Sequence, residues 1–137
     1  MGTLEEHAWV DASQKPLYMA NMPDCSEQEL EDFYRLCEAL YVTLVSEIVW
    51  VVDATSVTRS TAQHRKITVE HLERVQETAR RYVVGLALVV NTPVVRGIIT
   101  AIQWFIAPPC PVVTFEEKPA AMAWAQERLR FAKTIQR

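Results

Sequence analysis

The chain has 137 residues, of which half are hydrophobic and 23% are charged, and its formal net charge is −3 at pH 7. This length and composition are typical of one folded domain with its own core. We therefore expect a single domain over residues 1–137, with frayed ends at 1–5 and 133–137. The small negative charge gives no electrostatic reason to expect binding to nucleic acid.

The cysteines and histidines do not have the spacing of a metal site. Cys25, Cys37 and Cys110 are odd in number and lack a CxxC pair, and the histidines are scattered. We therefore expect no metal, no cofactor and reduced thiols in the cytoplasm. The first residues lack the basic and apolar segments of a signal peptide, and the longest apolar run, Val83–Val90, is too short to cross a bilayer.

The first part of the chain predicts a β-hairpin followed by an amphipathic helix. His7–Val10 and Pro16–Met19 are short β-type runs separated by a polar segment, as in two edge strands. Ser26 and Glu29 have the spacing of a capping box at a helix start. Apolar residues then recur at helical spacing, at Leu30, Phe33, Tyr34, Cys37, Leu40, Tyr41 and Leu44.

Two continuous apolar runs predict strands that are buried on both faces, as in a parallel sheet. These runs are Ile48–Val52 and Val83–Val90. Between them, Ser60 and Gln63 have capping-box spacing, and a basic helix is predicted from Thr61 to about Arg81. Its charges are typical of a solvated helix face.

The segment Thr92–Ile106 predicts a helix that is unusually apolar. Thr92 is suited to cap its first turn, and Pro93 is suited to its first position. Its polar residues, Arg96, Thr100 and Gln103, lie on one narrow stripe, and the remaining surface is apolar. Such a helix is either almost wholly buried or covered by something outside the monomer.

The chain ends with a strand and a helix. Val112–Phe115 predicts a third inner strand, and Pro119 precedes a helix predicted over Ala120–Ala132. The order β-β-α-β-α-β-α-β-α predicts an α/β fold with one open, largely parallel or mixed sheet of about five strands and four helices. The carboxyl ends of its inner strands would bring Asp53, Asn91 and Glu116 towards one edge, where such sheets place their sites.

This element order resembles the STAS domain of bacterial anti-anti-sigma factors, and more closely the bacterial STAS-like proteins that are likened to CRAL-TRIO lipid carriers. The segments that carry the resemblance are PLYMANMP, IVWVVDAT, TAQHRK, VVGLALVVNTPVVRGIITAIQWF and PCPVVTFEEKPAAMAWAQERL. They cover nearly the whole chain but include no catalytic motif. The resemblance implies a non-catalytic regulatory module that docks to a partner or to itself.

The resemblance also points to a site of phosphorylation. In anti-anti-sigma factors a serine or threonine in an Asp-Ser-Ser/Thr-Gly signature is phosphorylated, and Ser60 and Thr61 occupy the matching positions. Arg59 and Ala62 replace the acidic residue and the glycine of that signature. The alternative is that Ser60 only caps the helix.

Catalysis has little support in the sequence. The chain lacks a glycine-rich phosphate loop and a G-x-S-x-G elbow, so we expect no enzyme. Asp53, Thr92 and Lys118-Pro119 follow the order of a response-regulator receiver site. The acidic pair that such a site needs for Mg²⁺ is absent after the first strand.

Two functions therefore stay open, and both use the apolar helix. The first is a regulatory or protein-interaction module that docks to a partner or forms a homodimer. The second is a carrier or sensor of an apolar small molecule or a membrane surface, with Thr92–Ile106 as a lid. The residues expected to bind the partner or ligand are Val95, Ile98, Ile99, Ile102, Trp104 and Phe105.

Overall fold

The computed structural model describes residues 2–136, with side chains to residue 132. It is an α/β fold with one mixed five-stranded sheet and four α-helices. In chain order the elements are a 3-10 helix (Leu4–Glu6), β1 (Val10–Gln14), β2 (Leu17–Asn21), α1 (Glu27–Val42), β3 (Ile48–Asp53), α2 (Ala62–Tyr82), β4 (Val83–Val89), α3 (Pro93–Gln103), β5 (Val112–Phe115) and α4 (Lys118–Gln136). The predicted fold class is confirmed.

The strands lie in the sheet in the same order as in the chain. β1 pairs with β2 antiparallel, and the pairs β2–β3, β3–β4 and β4–β5 are parallel. Right-handed crossovers that all step in one direction place their helices on one face of a sheet. The connecting helices α1, α2 and α3 therefore share a face, and α4 covers the opposite one.

Each face has its own hydrophobic core. On the first face, Phe33 and Cys37 of α1 and Val75 of α2 pack with Trp50 of β3. On the second face, small residues of α4 allow the helix to approach β3 and β4 closely; Ala121 and Ala125 are fully buried there. The thiol of Cys37 lies in the first core, and burial raises its pKa to about 12.

The first strand and the last helix differ from their predicted bounds. β1 begins at Val10 rather than His7 and includes the polar residues up to Gln14, because an edge strand exposes much of its surface to solvent. Within residues 1–5, for which we expect fraying, Leu4 is buried and the N–H of Thr3 donates a hydrogen bond to Glu6 at 3.0 Å. The last helix continues to Gln136; Met1 and Arg137 lie outside the described residues.

The start of α2 also differs from its prediction, by one residue. Thr61, and not Ser60, is the N-cap: its Oγ1 accepts a hydrogen bond from the backbone N–H of His64 at 3.0 Å. His64 Nδ1 accepts in return from the N–H of Thr61, also at 3.0 Å. The imidazole nitrogen thus takes the place of the acidic or amide group of a common capping box, so Gln63 has no part in it.

Candidate functional site

The apolar helix α3 begins as the sequence predicts. Thr92 Oγ1 accepts a hydrogen bond from the N–H of Val95 at 3.3 Å, and Pro93 occupies the first helical position. The helix ends at Gln103, three residues before the predicted end, and Trp104 and Phe105 follow in a turn.

α3 is held mainly at its N-terminal end. Val95 is buried against Ala54 and Val90, at the carboxyl ends of β3 and β4. Beyond this point the helix packs principally against α2 rather than against the sheet. As a result, a space remains between the inner side of α3, the other two helices of this face and the strands.

This space is a cavity of about 310 Å³. Its wall consists mostly of aliphatic and aromatic side chains. The strand residues that line it include Ala20, Trp50, Val52, Leu86 and Leu88, and the residues from α1 and α2 include Phe33, Cys37, Thr68, His71, Leu72 and Val75. Small-molecule sites are commonly apolar cavities of this size with a few polar groups.

The predicted binding residues of α3 separate into two groups. Val95, Ile98, Ile99 and Ile102 line the cavity. Trp104 and Phe105 do not line it and are 80% and 77% exposed. One part of the predicted set thus faces the cavity, and the other part faces solvent.

A cleft adjoins the cavity between α3 and the loop after β3. Cavity and cleft share Arg59, Ser60 and Ile98, and Gly97 lies on the helix side of the cleft. The loop is fixed through Asp24, whose carboxylate accepts a hydrogen bond from the N–H of Thr58 at 2.8 Å. This arrangement gives the cavity a route to the surface.

The most distinctive polar group of the cavity wall is a histidine. His71 of α2 is 6% exposed, and its Nδ1 lies 2.7 Å from the Oε2 atom of Glu38 on α1. Arg74 donates two hydrogen bonds to the same carboxylate, at 3.1 and 3.0 Å. The His71 ring stacks on Tyr34 with centroids 4.1 Å apart, and Tyr34 Oη lies 2.9 Å from Thr68 Oγ1.

The charges of this cluster follow from its surroundings. Desolvation favours a neutral Glu38, but the hydrogen bonds from Arg74 and His71 outweigh it and lower the pKa of this carboxyl. Burial lowers the pKa of His71 below its ordinary value of 6.5, even though Glu38 acts in the opposite direction. A neutral imidazole beside an ionised carboxylate is the state expected at pH 7.

The histidine cluster was missed in the sequence. A signal was present, since His64, Thr68, His71 and Val75 recur at steps of four, three and four and so share one helix face. That face also carries the apolar residues that pack on the sheet. The pattern therefore has the same appearance as an ordinary amphipathic helix.

Two of the three residues predicted at the sheet edge form ion pairs with different partners. Asp53 Oδ2 lies 3.3 Å from Lys118 Nζ, and Asp53 also accepts hydrogen bonds from Thr55. These bonds lower the pKa of Asp53 although desolvation acts against them. Glu116 instead pairs with Arg96 at 3.5 Å, and Asn91 is exposed.

The two hydroxyls considered for phosphorylation have separate hydrogen bonds. Ser60 Oγ donates to the Thr61 carbonyl at 3.3 Å, and Thr61 Oγ1 donates to Glu27 of α1 at 3.0 Å. His64 Nε2 lies 2.9 Å from the Cys25 carbonyl, so the same turn is tied to the loop before α1. This turn holds α1 and α2 together.

Comparisons with models of known protein families and with curated proteins find no match. Within residues 2–136, no helix is both long enough and apolar enough to cross a bilayer. The same residues contain no group of three or more histidine, cysteine, aspartate or glutamate side chains arranged to hold a metal ion.

Proposed function

We propose that this domain binds an apolar small molecule in the cavity beneath α3, as a carrier or a sensor of that molecule. The observation that carries the proposal is the position of α3, which is anchored at Val95 and leaves a cavity of about 310 Å³ above the sheet. Ile98, Ile99 and Ile102 line this cavity, and Ile99 also packs against the cluster of Ala54, Val90 and Val95. Their apolar surface would be covered by a ligand.

The apolar wall of the cavity gives an energetic reason for a ligand. The cavity is partly open to solvent, so its apolar wall is in contact with water when no ligand is bound. Covering that wall with an apolar ligand contributes about 25 cal/mol for each Å² removed from water, and the ligand gains dispersion contacts along the wall.

The helix also has the attachment expected of a lid. One end is fixed by the Thr92 cap and the buried Val95, and the other end leads through the exposed Trp104 and Phe105 to the buried Ile106. A motion about the fixed end would widen the cleft between Arg59 and Ile98. Ligand entry by this route needs no change in the sheet.

The test is a titration with 2-methylnaphthalene, followed by calorimetry and by thermal unfolding. A ligand whose free concentration is a hundred times its Kd stabilises the folded state by about 2.7 kcal/mol. The melting temperature should therefore rise by several degrees. Native mass spectrometry of the purified protein should also detect a co-purified apolar molecule. If wild-type protein neither binds the probe nor carries a molecule, the proposal is wrong.

A pair of variants on α3 locates the binding. Ile99→Trp places an indole on the cavity side and should weaken 2-methylnaphthalene binding by at least tenfold. Thr100→Trp adds the same side chain at an exposed neighbouring position and should leave binding unchanged. Equal effects of the two substitutions would place the probe elsewhere.

The second candidate function is docking to a second copy of this chain. Trp104, Phe105 and Val94 of the α3 region are 80%, 77% and 56% exposed. Tryptophan is among the residues that contribute most at the centre of interfaces, and a homodimer pairs one apolar patch with itself. This candidate continues the interaction role that the STAS-like resemblance implies.

Light scattering tests the dimer. Wild-type protein should have twice the chain mass, and Trp104→Asp should be monomeric because a buried charge is costly at such an interface. Val45→Asp is the matched control, since Val45 is an exposed apolar residue that lies in another part of the molecule, after α1. A monomeric wild type would exclude this second function and leave the cavity proposal intact.

A further inference from the structure

His71 is placed differently from the other polar groups around the cavity. It is 6% exposed and lines the cavity, and no other charged, amide or imidazole side chain is buried among residues 2–132. By contrast, His64 uses both ring nitrogens, on Thr61 and on the Cys25 carbonyl. His71 uses Nδ1 alone: its Nε2 has no hydrogen-bond partner among the residues that the structure describes.

The bonding of Nδ1 determines the character of Nε2. An ionised carboxylate only accepts hydrogen bonds, so Nδ1 must carry the proton and donate it to Glu38. In a neutral imidazole with that tautomer, Nε2 is an acceptor. The two hydrogen bonds from Arg74 hold the Glu38 carboxylate in this arrangement, and stacking on Tyr34 holds the His71 ring.

We infer that His71 Nε2 is the polar anchor of the cavity and accepts a hydrogen bond from an apolar ligand that carries a neutral donor, such as an alcohol or a phenol. This inference rests on the proposed function and deepens it by naming the ligand class. A ligand with an apolar body would fill the space beneath α3, and its hydroxyl group would satisfy the unpaired nitrogen. No fully buried side-chain N or O atom among the described residues lacks a partner, so Nε2 is accessible to water while the cavity is empty. A ligand without a donor would cover Nε2 and leave it without a partner, which is costly, so the site selects for a ligand with a donor.

The same geometry disfavours an anionic ligand at this position. A carboxylate has no proton to donate, and a neutral Nε2 has none to offer it. The negative charge of Glu38, 2.7 Å from the opposite ring nitrogen, would also repel a second anion. A fatty-acid anion would therefore be buried at this position without a partner.

The test compares 2-naphthol with 2-methylnaphthalene, two probes of nearly equal size that differ in a hydroxyl and a methyl group. The quantity measured is the ratio of their Kd values, in wild type and in His71→Phe. Phenylalanine keeps an aromatic ring beside Tyr34 but has no acceptor. We expect the substitution to shift the ratio about three- to tenfold against 2-naphthol, the effect of one hydrogen bond, and not to weaken the binding of 2-methylnaphthalene.

His7→Phe is the matched control. It makes the same substitution at a histidine that does not line the cavity and should leave the ratio at its wild-type value. Glu38→Gln removes the charge that sets the tautomer and should reduce the discrimination between the probes without abolishing the binding of 2-methylnaphthalene. This variant also serves if His71→Phe does not fold.

NMR of the His71 ring nitrogens gives a reading on the unmodified protein. We expect Nδ1 to be protonated and the Nε2 resonance to move on addition of 2-naphthol but not of 2-methylnaphthalene. A proton on Nε2, or an unchanged probe ratio in His71→Phe, would overturn the inference while the cavity proposal stands. Equal losses of affinity for both probes would indicate that His71 has only a structural role. That result would also overturn the inference. Failure of both probes to bind wild type, together with the absence of a co-purified apolar molecule, would refute the proposed function itself.

Discussion

The indole of Trp124 on α4 packs directly on Gly85 of β4, on the sheet face opposite the cavity. A Cβ atom at position 85 would lie 2.6 Å from Cη2 and 3.0 Å from Cζ3 of this ring. The contact lies at an irregularity in the sheet. Between the pairs Ile48–Val83 and Trp50–Leu86, the single residue Val49 of β3 is opposite two residues of β4, Val84 and Gly85.

Gly85→Ala should therefore destabilise the fold by about 1–3 kcal/mol, because the methyl group overlaps the tryptophan ring. Urea unfolding measures the loss. Gly97→Ala is the control, since a Cβ there meets nothing within 4 Å. In a helix interior that change should stabilise by about 0.5–1 kcal/mol. An unchanged free energy of unfolding in Gly85→Ala would contradict the close packing of α4 on β4.

The cap of α2 gives a second prediction. Thr61→Ala removes the hydroxyl that accepts from His64 and donates to Glu27, and should cost about 1 kcal/mol of stability. Ser60→Ala should change stability by less than about 0.5 kcal/mol, because Ser60 does not cap the helix. A larger loss of stability for Ser60→Ala than for Thr61→Ala would show that Ser60 is the N-cap, as the sequence suggested.

The pair Tyr41 and Trp50 gives a third prediction. Trp50 Nε1 donates to Tyr41 Oη at 2.8 Å, and both residues are buried. Tyr41→Phe leaves the indole N–H without an acceptor and should cost about 1–3 kcal/mol. Tyr34→Phe should cost less, because the Thr68 hydroxyl left behind can rotate to a backbone carbonyl of its own helix. The comparison is made by chemical unfolding of the two variants.

The pH dependence of stability follows from His71 and Glu38. The pKa of His71 is lowered by burial, so below its ordinary value of 6.5 the unfolded chain takes up a proton before the folded protein does. Stability should therefore fall as the pH drops below 6.5, until the folded His71 titrates.

The lowered pKa of Glu38 acts in the same direction at lower pH. Its contribution is complete above its ordinary value of 4.5 and is lost as the pH falls through the folded pKa. In His71→Phe the upper part of this dependence should disappear. Urea unfolding at about pH 7.5, 6.5 and 5.5 measures it. An unchanged slope in the variant would show that other groups produce it.

The elements and their order could be read from the sequence because they depend on local chemistry. Continuous apolar runs such as Ile48–Val52 have no stable place except inside a sheet covered on both faces. The Ser26–Glu29 capping box and Pro93 act within one helical turn, and both start helices where predicted. The one-residue error at Ser60 arose because His64 can take the place of the usual Glu or Gln of a capping box.

Only the tertiary structure decided how the apolar helix and His71 are placed. The spacing of α3 predicts an apolar surface, but how far the helix stands from the strands depends on its anchoring at Val95 and its packing on α2. The pairing of His71 with Glu38 joins residues 33 positions apart on two helices. Periodicity along one helix cannot show such a contact, because it depends on how two helices are placed against each other.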